Sequence, residues 1–293
     1  MNPKLSVIVV CLNPPHVREK CLDALVNQRD SSDTEILVIG RSVKDDQKGG
    51  ERSSSIHWLS APVESTVPQM RTYAILQCRG EIVALLEDDC VVSENWMSDV
   101  MKAHAGEDKI IGGAIAAGNY PRLLDWAVYF CEYARFMPPF SGLQSALPGN
   151  NVSYKRSALP SLNPADGFYE VFFHDQWLNS GGRLIANSNM VVTNVNHWSA
   201  RHITSIPFHH GRAFAGMRSS QFSLWRKGVY SLLSLALPTL KLYRLAVVVY
   251  NRRKYRSQFI FSLPLTAIFL ASWSIGEMTG YAAGTGRSAE QWR

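Results

Sequence analysis

Acidic residues are missing from one long part of this 293-residue chain. No Asp or Glu occurs between Asp175 and Glu277, although the same stretch contains twelve Lys or Arg residues. Residues 1–175 carry 16 basic and 22 acidic side chains, a net charge of −6, whereas residues 176–293 carry 14 and 2, a net charge of +12. So basic a segment predicts a surface that faces the phosphate groups of a nucleotide, a nucleic acid or a lipid.

Cysteine pairs and a long N-terminal apolar run are also lacking. The five cysteines form an odd set without a C-x-x-C pair, which excludes a disulfide framework and a cysteine-based zinc site. The first apolar run, Leu5–Leu12, is too short for a signal-peptide core with its cleavage site or for a membrane span. We therefore expect a reducing, cytoplasmic environment.

The first ninety residues alternate short β-branched runs with helix-like patterns, which is typical of βαβ units around a parallel sheet. A polar loop, residues 41–55, interrupts the alternation because its charges and paired glycines cannot form a core. We predict strands at Leu5–Val10, Glu35–Gly40, Ile56–Leu59 and Ile82–Leu86, with helices at Val17–Gln28 and Gln69–Arg79.

Three consecutive carboxylates, Glu87, Asp88 and Asp89, directly follow the last of these strands. In an open α/β sheet, ligands bind beyond the carboxyl ends of the strands. Adjacent like charges repel one another unless a cation or hydrogen-bond donors share them. The run therefore predicts a ligand or cation site; the alternative is a solvated turn that caps a helix beginning at Ser93 and Glu94.

Several motifs follow one another in order along roughly residues 4–215. They are LSVIVVCLN, CLDALVNQ, EILVIG, RTYAILQCRGEIVALLEDDCVVSENW, GGAIAAGN, DWAVYFCEYARF, LPGNNVSYKR and FHDQWLNSGGRL. In this order they resemble the motifs of family 2 glycosyltransferases, the nucleotide-sugar-dependent enzymes with the GT-A fold. The resemblance implies an α/β domain with a mostly parallel central sheet, which we place at residues 1–225.

The acidic run has a defined role in that resemblance, which implies that these carboxylates contact the donor ribose and a Mg²⁺ or Mn²⁺ ion. Asp89 matches the metal ligand, Asp88 matches its neighbour on the metal or ribose, and Glu87 belongs to the same motif. Arg71 matches a basic position near the nucleotide phosphate; an exposed helix arginine is the competing explanation.

A general base is implied by the FHDQWL motif. An inverting transfer needs a group that removes the proton of the acceptor hydroxyl, and the family supplies it from a Glu-Asp pair at a helix start. Asp175 falls on the base position, whereas His174 replaces the family's glutamate. The alternative for Asp175 is a carboxylate that caps the helix.

Further donor contacts are implied by Asn150, Asn151, His210 and Arg212. The two asparagines follow a glycine in a segment that is also consistent with a plain turn. His210 and Arg212 match a region that covers the donor diphosphate in some family members, and structural loop histidines are the alternative. The irregular spacing of the histidines at positions 197, 202, 209 and 210 disfavours a zinc site.

The base of the donor nucleotide is left open. Family members often carry an acid just after the second strand, but here Gly40-Arg41-Ser42 stands there and the next acids are Asp45 and Asp46. Recognition of the base then depends on backbone groups and Asn13, and the donor is a UDP, GDP or dTDP sugar.

Residues 226–293 form a basic, apolar region. The runs Val229–Tyr250 and Gln258–Gly276 flank the basic segment Asn251–Arg256. The runs are consistent with helices that lie in a membrane interface or re-enter it, that span it, or that pack on the catalytic domain. Trp273 and Tyr281 favour shallow insertion. The final motif, WSIGEMTGYAAG, resembles the C-termini of membrane-associated bacterial enzymes that build surface polysaccharides.

Together these features predict an inverting, metal-dependent transfer of a glycosyl group to an acceptor hydroxyl on a lipid-linked or growing surface polysaccharide. We expect the protein at the cytoplasmic face of the cell membrane, against anionic lipid. Nucleic acid is excluded because the basic residues alternate with long aliphatic runs. The alternatives are a polyprenyl-phosphate glycosyl transferase and a catalytically inactive, membrane-bound scaffold.

Overall fold

The computed structural model describes residues 2–28, 33–41 and 56–291. Asp45 and Asp46, the nearest acids to the second strand, lie outside these residues. The chain forms two compact units: residues 1–118 with 136–195, and residues 119–135 with 196–293. The functional division at residue 225 stays a prediction.

The elements of both units are numbered in chain order. The strands are β1 (Leu5–Val10), β2 (Thr34–Gly40), β3 (Ile56–Ser60), β4 (Ile82–Glu87), β5 (Cys90–Val92), β6 (Ile110–Ala117), β7 (Gly142–Gln144), β8 (Asn151–Lys155) and β9 (Leu184–Asn194). The helices are α1 (Pro15–Val26), α2 (Val67–Gln77), α3 (Trp96–Ala103), α4 (Leu123–Tyr133), α5 (Glu170–Asn179), α6 (Ser205–Arg218), α7 (Leu224–Leu233), α8 (Leu237–Arg252) and α9 (Arg256–Ala283).

One sheet organises the first unit. Its strand order is β3-β2-β1-β4-β8-β6-β9-β5, with β7 paired to β9. The β3-β2-β1-β4 half is parallel throughout, β8 runs against both β4 and β6, and β9 is parallel to β6. The predicted α/β architecture with a mostly parallel sheet is confirmed. Strands β1 and β4 are buried over most of their length, and burial fixes the register in which they pair. The ends of these two strands therefore define the sheet edge at which we expect ligands.

The four predicted strands are present, but the helix starts differ from the sequence prediction. Helix α2 begins at Val67 instead of Gln69, because the Thr66 hydroxyl accepts the backbone N–H of Gln69 in a capping box. The helix predicted from Ser93 begins only at Trp96, which corrects that prediction. Before Ser93, residues Cys90–Val92 pair with β9 as the short strand β5.

A histidine lies in the core behind this sheet. His104 is 5% exposed, and its Nε2 donates to Ser153 Oγ at 2.8 Å, since that hydroxyl itself donates to the Ile111 carbonyl. Burial, with Lys155 nearby, lowers the pKa of His104 to about 4. The imidazole is therefore neutral in the folded protein at neutral pH.

Acid should destabilise the protein through this residue. An unfolded histidine gains its proton near pH 6.5, whereas folded His104 stays neutral until about pH 4, so the unfolded state binds more protons in between and stability falls as the pH drops. When the pH falls from 7 to 5, the free energy of unfolding of the wild type should fall by about 2 kcal/mol more than that of His104→Asn. Urea unfolding at the two pH values measures both. Equal losses for the two proteins would show that His104 does not titrate this way.

The second unit is helical and centres on α9. Helices α6 and α9 approach so closely that a Cβ at Gly211 would lie 2.3 Å from the Trp273 carbonyl oxygen, and one at Gly276 would lie 2.1 Å from that of Phe208. Only glycine permits such an approach. Among the described residues, two helical stretches, Leu224–Arg252 and Arg256–Ala283, are long and apolar enough to cross a membrane by length and composition alone. Each contains an 18-residue segment with a mean hydropathy of 1.7.

Candidate active site

Three chain segments meet at one edge of the first unit's sheet. Val10 at the end of β1 is paired with Glu87 at the end of β4, so the residues that follow both strands emerge side by side. Strand β8 is antiparallel to β4, and its first residue, Asn151, lies opposite Leu86. The acidic run, Asn13 and the turn before β8 therefore share this edge, as the sequence predicts for a ligand site.

Asp88 is held by the loop that follows β1. Its side chain is fully buried; one carboxylate oxygen accepts the backbone N–H groups of Leu12 and Asn13 at 3.1 and 3.0 Å, and the other accepts Asn13 Nδ2 at 2.8 Å. Burial raises the pKa of Asp88 to about 6, although these hydrogen bonds oppose the rise. The structure thus brings together two residues that the sequence placed in the donor site, Asn13 and Asp88.

Glu87 belongs to a buried ion-pair group. Arg71 on α2 is 5% exposed and donates Nη2 to Glu87 at 3.0 Å and Nη1 to Glu170 at the start of α5. The exposed-helix explanation for Arg71 is therefore wrong. Burial raises the pKa of Glu87 to about 7. Arg71 acts to lower this pKa, and the neighbouring acids act to raise it. One guanidinium thus serves two carboxylates and joins the acidic run to α5.

Asp89 completes the run and is 4% exposed. Its backbone carbonyl accepts the N–H of Val195 at 2.9 Å, and Cys90 Sγ lies 3.4 Å from its Oδ1, the distance of a weak thiol bond. Glu87, Asp88 and Asp89 therefore differ in their partners: an arginine, a backbone loop and a thiol. Within the described ranges, no group of three or more His, Cys, Asp or Glu side chains is arranged to hold a metal ion.

The two predicted asparagines separate in the structure. Asn150 is buried in the turn beside the end of β4, where a donor contact remains our prediction. Asn151 points into the core: its Nδ2 donates to the carbonyls of Ala114 and Met190, and its Oδ1 accepts Trp96 Nε1. Both amide hydrogens of Asn151 are used in this way, so we remove it from the proposed donor site and assign it to the framework.

Helix α5 carries the predicted base. Asp175 is exposed in its second turn, whereas His174 is 3% exposed and shares a 3.0 Å hydrogen bond with the Tyr154 hydroxyl. Burial lowers the pKa of His174 to about 4, so a neutral imidazole stands where the family has a glutamate. Because five residues correspond to roughly 140° of helix rotation, Asp175 does not share the Arg71-bonded face of Glu170. The base role of Asp175 stays a prediction.

His210 and Arg212 lie in α6 of the second unit. Burial, and then the neighbouring His202 and His209, lower the pKa of His210 to about 4. Arg212 Nε donates to the Gly284 carbonyl at 3.2 Å and so satisfies an acceptor at the C-terminal end of α9. A neutral His210 can donate a hydrogen bond to a diphosphate but cannot supply charge to it. Their diphosphate contacts remain predictions.

Glu170 is the residue that sequence reasoning missed. It contacts Arg71, and a Cβ on Gly149 would lie 2.2 Å from its Oε1, so it also packs against the turn that carries Asn150. The only signal in the sequence was that an acid, Glu170, directly follows the segment Gly167–Tyr169 and lies shortly before the HDQW motif.

Comparison with known proteins shows the family of this chain. The model of the family "Glycosyl transferase family 2" matches residues 6–159, which is more than half of the chain. A search of curated protein sequences gives no match.

Two solved structures are similar in fold. One is the mannosyltransferase PcManGT from Pyrobaculum calidifontis in complex with GDP-Man and Mn²⁺, with a TM-score of 0.59 and 12% identity over 94% of this chain and 87% of that chain. The other is GalNAc-T7 with UDP, GalNAc and Mn²⁺, with a TM-score of 0.51 and 14% identity over 68% of this chain and 46% of that chain. The predicted GT-A fold is thus confirmed. With the family match over more than half of its length, the chain belongs to glycosyl transferase family 2 and is a glycosyltransferase.

Proposed function

We propose that this glycosyltransferase moves a hexosyl group from a nucleotide sugar to an acceptor hydroxyl, with inversion at the anomeric carbon and with Mg²⁺ or Mn²⁺ bound. The acceptor is a lipid-linked or growing surface polysaccharide at the cytoplasmic face of the membrane. The two similar structures hold Mn²⁺ with GDP-Man and Mn²⁺ with UDP, which supports ligands of this chemistry.

The observation that carries the proposal is the buried acidic run at the end of β4. Asp88 and Asp89 are 0% and 4% exposed, and Glu87 and Glu170 share the single guanidinium of Arg71. Burying several carboxylates close together is costly, and burial and the neighbouring acids raise the pKa values of Glu87 and Asp88. A bound divalent cation would supply the positive charge that the site needs.

The residues present fit such a cation. Mg²⁺ and Mn²⁺ prefer carboxylate oxygens, and Mg²⁺ usually keeps several waters and binds through one or two carboxylates and the substrate phosphates. Asp89 and Asp88 are the proposed ligands, as the family resemblance implies, whereas Glu87 is engaged by Arg71. When bound, the cation stabilises the negative charge that develops on the leaving diphosphate.

The protein side chains would perform the other steps. Asn13 fixes the carboxylate of Asp88, which we assign to the ribose side of the donor. We assign Asn150 to a contact with the donor sugar or diphosphate, with His210 and Arg212 as further proposed contacts. Asp175 would take the proton of the acceptor hydroxyl as its oxygen attacks the anomeric carbon from the face opposite the leaving nucleotide.

Metal-dependent turnover tests the proposal. UDP-, GDP- and dTDP-sugars should be incubated with the protein, and release of the nucleotide diphosphate measured, since slow hydrolysis of the donor needs no known acceptor. For one nucleotide class, we expect EDTA to reduce release at least about 100-fold and added Mn²⁺ or Mg²⁺ to restore it.

Three outcomes would contradict parts of this account. Turnover that persists at full rate in EDTA would remove the metal from the mechanism. A product with the donor's anomeric configuration, established by NMR once an acceptor is found, would exclude inversion. Release from all three nucleotide classes at equal rates would show that the base is not read.

A polyprenyl phosphate is the second candidate acceptor. The many exposed apolar side chains on α7, α8 and α9 favour an acceptor that is held in a membrane. A phosphate oxygen needs little base catalysis because it carries no proton that must be removed at neutral pH. The two acceptors therefore differ in the expected effect of removing Asp175.

A further inference from the structure

The helical second unit carries a surface that is suited to a bilayer. We propose that α7, α8 and α9 lie in the interface of an anionic bilayer, with one face in the headgroup and upper acyl region, and that neither α8 nor α9 crosses the membrane. The inference rests on the membrane location proposed above and is independent of the metal and the base.

Each helix exposes its apolar side chains as a stripe. On α8 the exposed positions are Leu240, Tyr243, Val247 and Tyr250, which have the spacing of a single helix face. On α9 they include Phe261, Ile268 and Ile275, spaced by seven residues and 67%, 45% and 51% exposed. On α7, Trp225 is 80% and Leu232 71% exposed. Exposed apolar side chains in such number mark a partner or a membrane.

Other faces of α9 are already occupied by protein. Phe259 packs edge-to-face on Phe130 of α4 at 5.1 Å between ring centroids, and Gly276 abuts the Phe208 carbonyl of α6. Arg218 at the end of α6 donates to the Tyr281 hydroxyl at 2.9 Å. Lipid all around α9 would require these contacts to break, or would draw the histidines and arginines of α6 into the hydrocarbon. One-sided burial of this kind is typical of an interfacial helix.

A polar cluster joins the first half of α8 to the C-terminal part of α9. Lys241 Nζ lies 3.7 Å from Glu277 Oε1 and 4.2 Å from the centroid of the Trp273 ring, whose Nε1 donates to the same carboxylate oxygen at 2.6 Å. In a spanning arrangement this pair would lie inside the hydrocarbon, where ionised groups are costly. In an interfacial arrangement the Lys241–Glu277 pair remains between α8 and α9, on the protein side of the apolar stripes.

Charge on the connection between α8 and α9 also opposes a crossing. If both helical stretches spanned, residues 252–256 would lie on the side of the membrane opposite to the first unit. This segment carries four cations, Arg252, Arg253, Lys254 and Arg256, and such short basic loops are retained on the cytoplasmic side. With both helices in the interface, the same cations stay beside the headgroups of the cytoplasmic leaflet.

Charge complementarity selects an anionic bilayer as the occupant. The exposed cations beside the stripes include Arg226, Arg244, Arg253 and Lys254, and the chain has no carboxylate between Asp175 and Glu277. Each Lys or Arg near the surface of an anionic leaflet strengthens binding. Tyrosine and tryptophan in the stripes are also the aromatic residues enriched at membrane interfaces.

Vesicle sedimentation tests the lipid preference of the full-length protein. Binding to phosphatidylcholine vesicles with 30% phosphatidylglycerol should be strong, and binding to pure phosphatidylcholine vesicles much weaker. Arg253→Gln/Lys254→Gln should weaken binding to the anionic vesicles about 30-fold, while the matched control Lys20→Gln/Lys102→Gln, exposed on the first unit, should have no effect. Equal binding to the two vesicle types would overturn the anionic preference.

Labelling decides between lying in the interface and spanning. In Lys254→Cys bound to preformed anionic vesicles, an impermeant maleimide added outside should label residue 254 above the level of the native cysteines in the wild type. Labelling only after detergent would show that the loop has crossed and would overturn the proposal. Donor hydrolysis by the variants should equal that of the wild type in both assays, so a failed reaction and a failed membrane interaction are distinguished.

Discussion

Replacing Arg71 with methionine is expected to destabilise the protein by about 3–5 kcal/mol. The change keeps most of the side-chain volume but leaves Glu87 and Glu170, whose side chains are 20% and 16% exposed, without their shared cation. Both carboxylates must then be protonated or seek water, at the expense of the contact between α2 and α5. Urea unfolding monitored by intrinsic fluorescence measures the loss.

Two matched variants make this prediction specific. Arg183→Met removes an arginine whose side chain is 63% exposed and paired with Asp108, so it should cost no more than about 1 kcal/mol. Adding Glu87→Gln and Glu170→Gln to Arg71→Met should recover part of the lost stability, because no uncompensated buried charge remains. If Arg71→Met unfolds like the wild type but binds the donor weakly, Arg71 contacts the nucleotide phosphate, as the family resemblance implied, and the structural role is wrong.

Replacing Asp175 with asparagine is expected to lower kcat by about 10²- to 10⁴-fold while donor binding is retained. The substitution preserves the size of the side chain but removes the carboxylate that would accept the proton of the acceptor hydroxyl. Because Asp175 is exposed, stability should barely change. Steady-state kinetics with a saccharide acceptor, together with a donor-binding titration, measure the two effects separately.

Asp166→Asn is the natural control, because Asp166 is another exposed carboxylate a few residues before α5. It should leave kcat unchanged. A fall of less than tenfold for Asp175→Asn would exclude Asp175 as the base for a hydroxyl acceptor and favour a polyprenyl phosphate acceptor. Glu170 is the other acid of α5, and its Arg71 contact makes it a poor proton acceptor.

The first half of the sheet could be predicted from the sequence because each signal is local. A run such as Ile82–Leu86 followed at once by three acids defines a buried strand and a polar strand end within eight residues. Parallel neighbours then bring such ends together, and the pairing of Val10 with Glu87 places Asn13 beside Asp88 as expected.

The ion-pair group around Arg71 could not be predicted in this way. Arg71 and Glu170 are 99 residues apart, and no spacing in the sequence connects them. Helix α2 also buries residues on several sides, Met70, Thr72 and Ala74 among them, so periodicity does not show that the arginine between them faces inward. Its burial follows from tertiary packing alone.

Asn150 and Asn151 show that an error of one residue in where a strand begins changes the role predicted for a side chain. The sequence places both in one turn, but Asn151 is already the first residue of β8. Successive side chains in a strand point to opposite faces, so a shift of one residue moves an amide from the ligand edge to the core.

The helical unit could not be predicted from local patterns either. Helix α4 comes from the middle of the chain and packs on α9, more than one hundred residues later.

Calorimetric titration of the nucleotide diphosphate that supports turnover is the most direct test of the central claim, that the buried acids after β4 hold a divalent cation and the donor together. The wild type should bind this nucleotide at least tenfold more tightly with Mn²⁺ than in EDTA, and Asp89→Asn should abolish the difference. Equal affinity with and without Mn²⁺, or binding of no nucleotide diphosphate under either condition, would contradict the account.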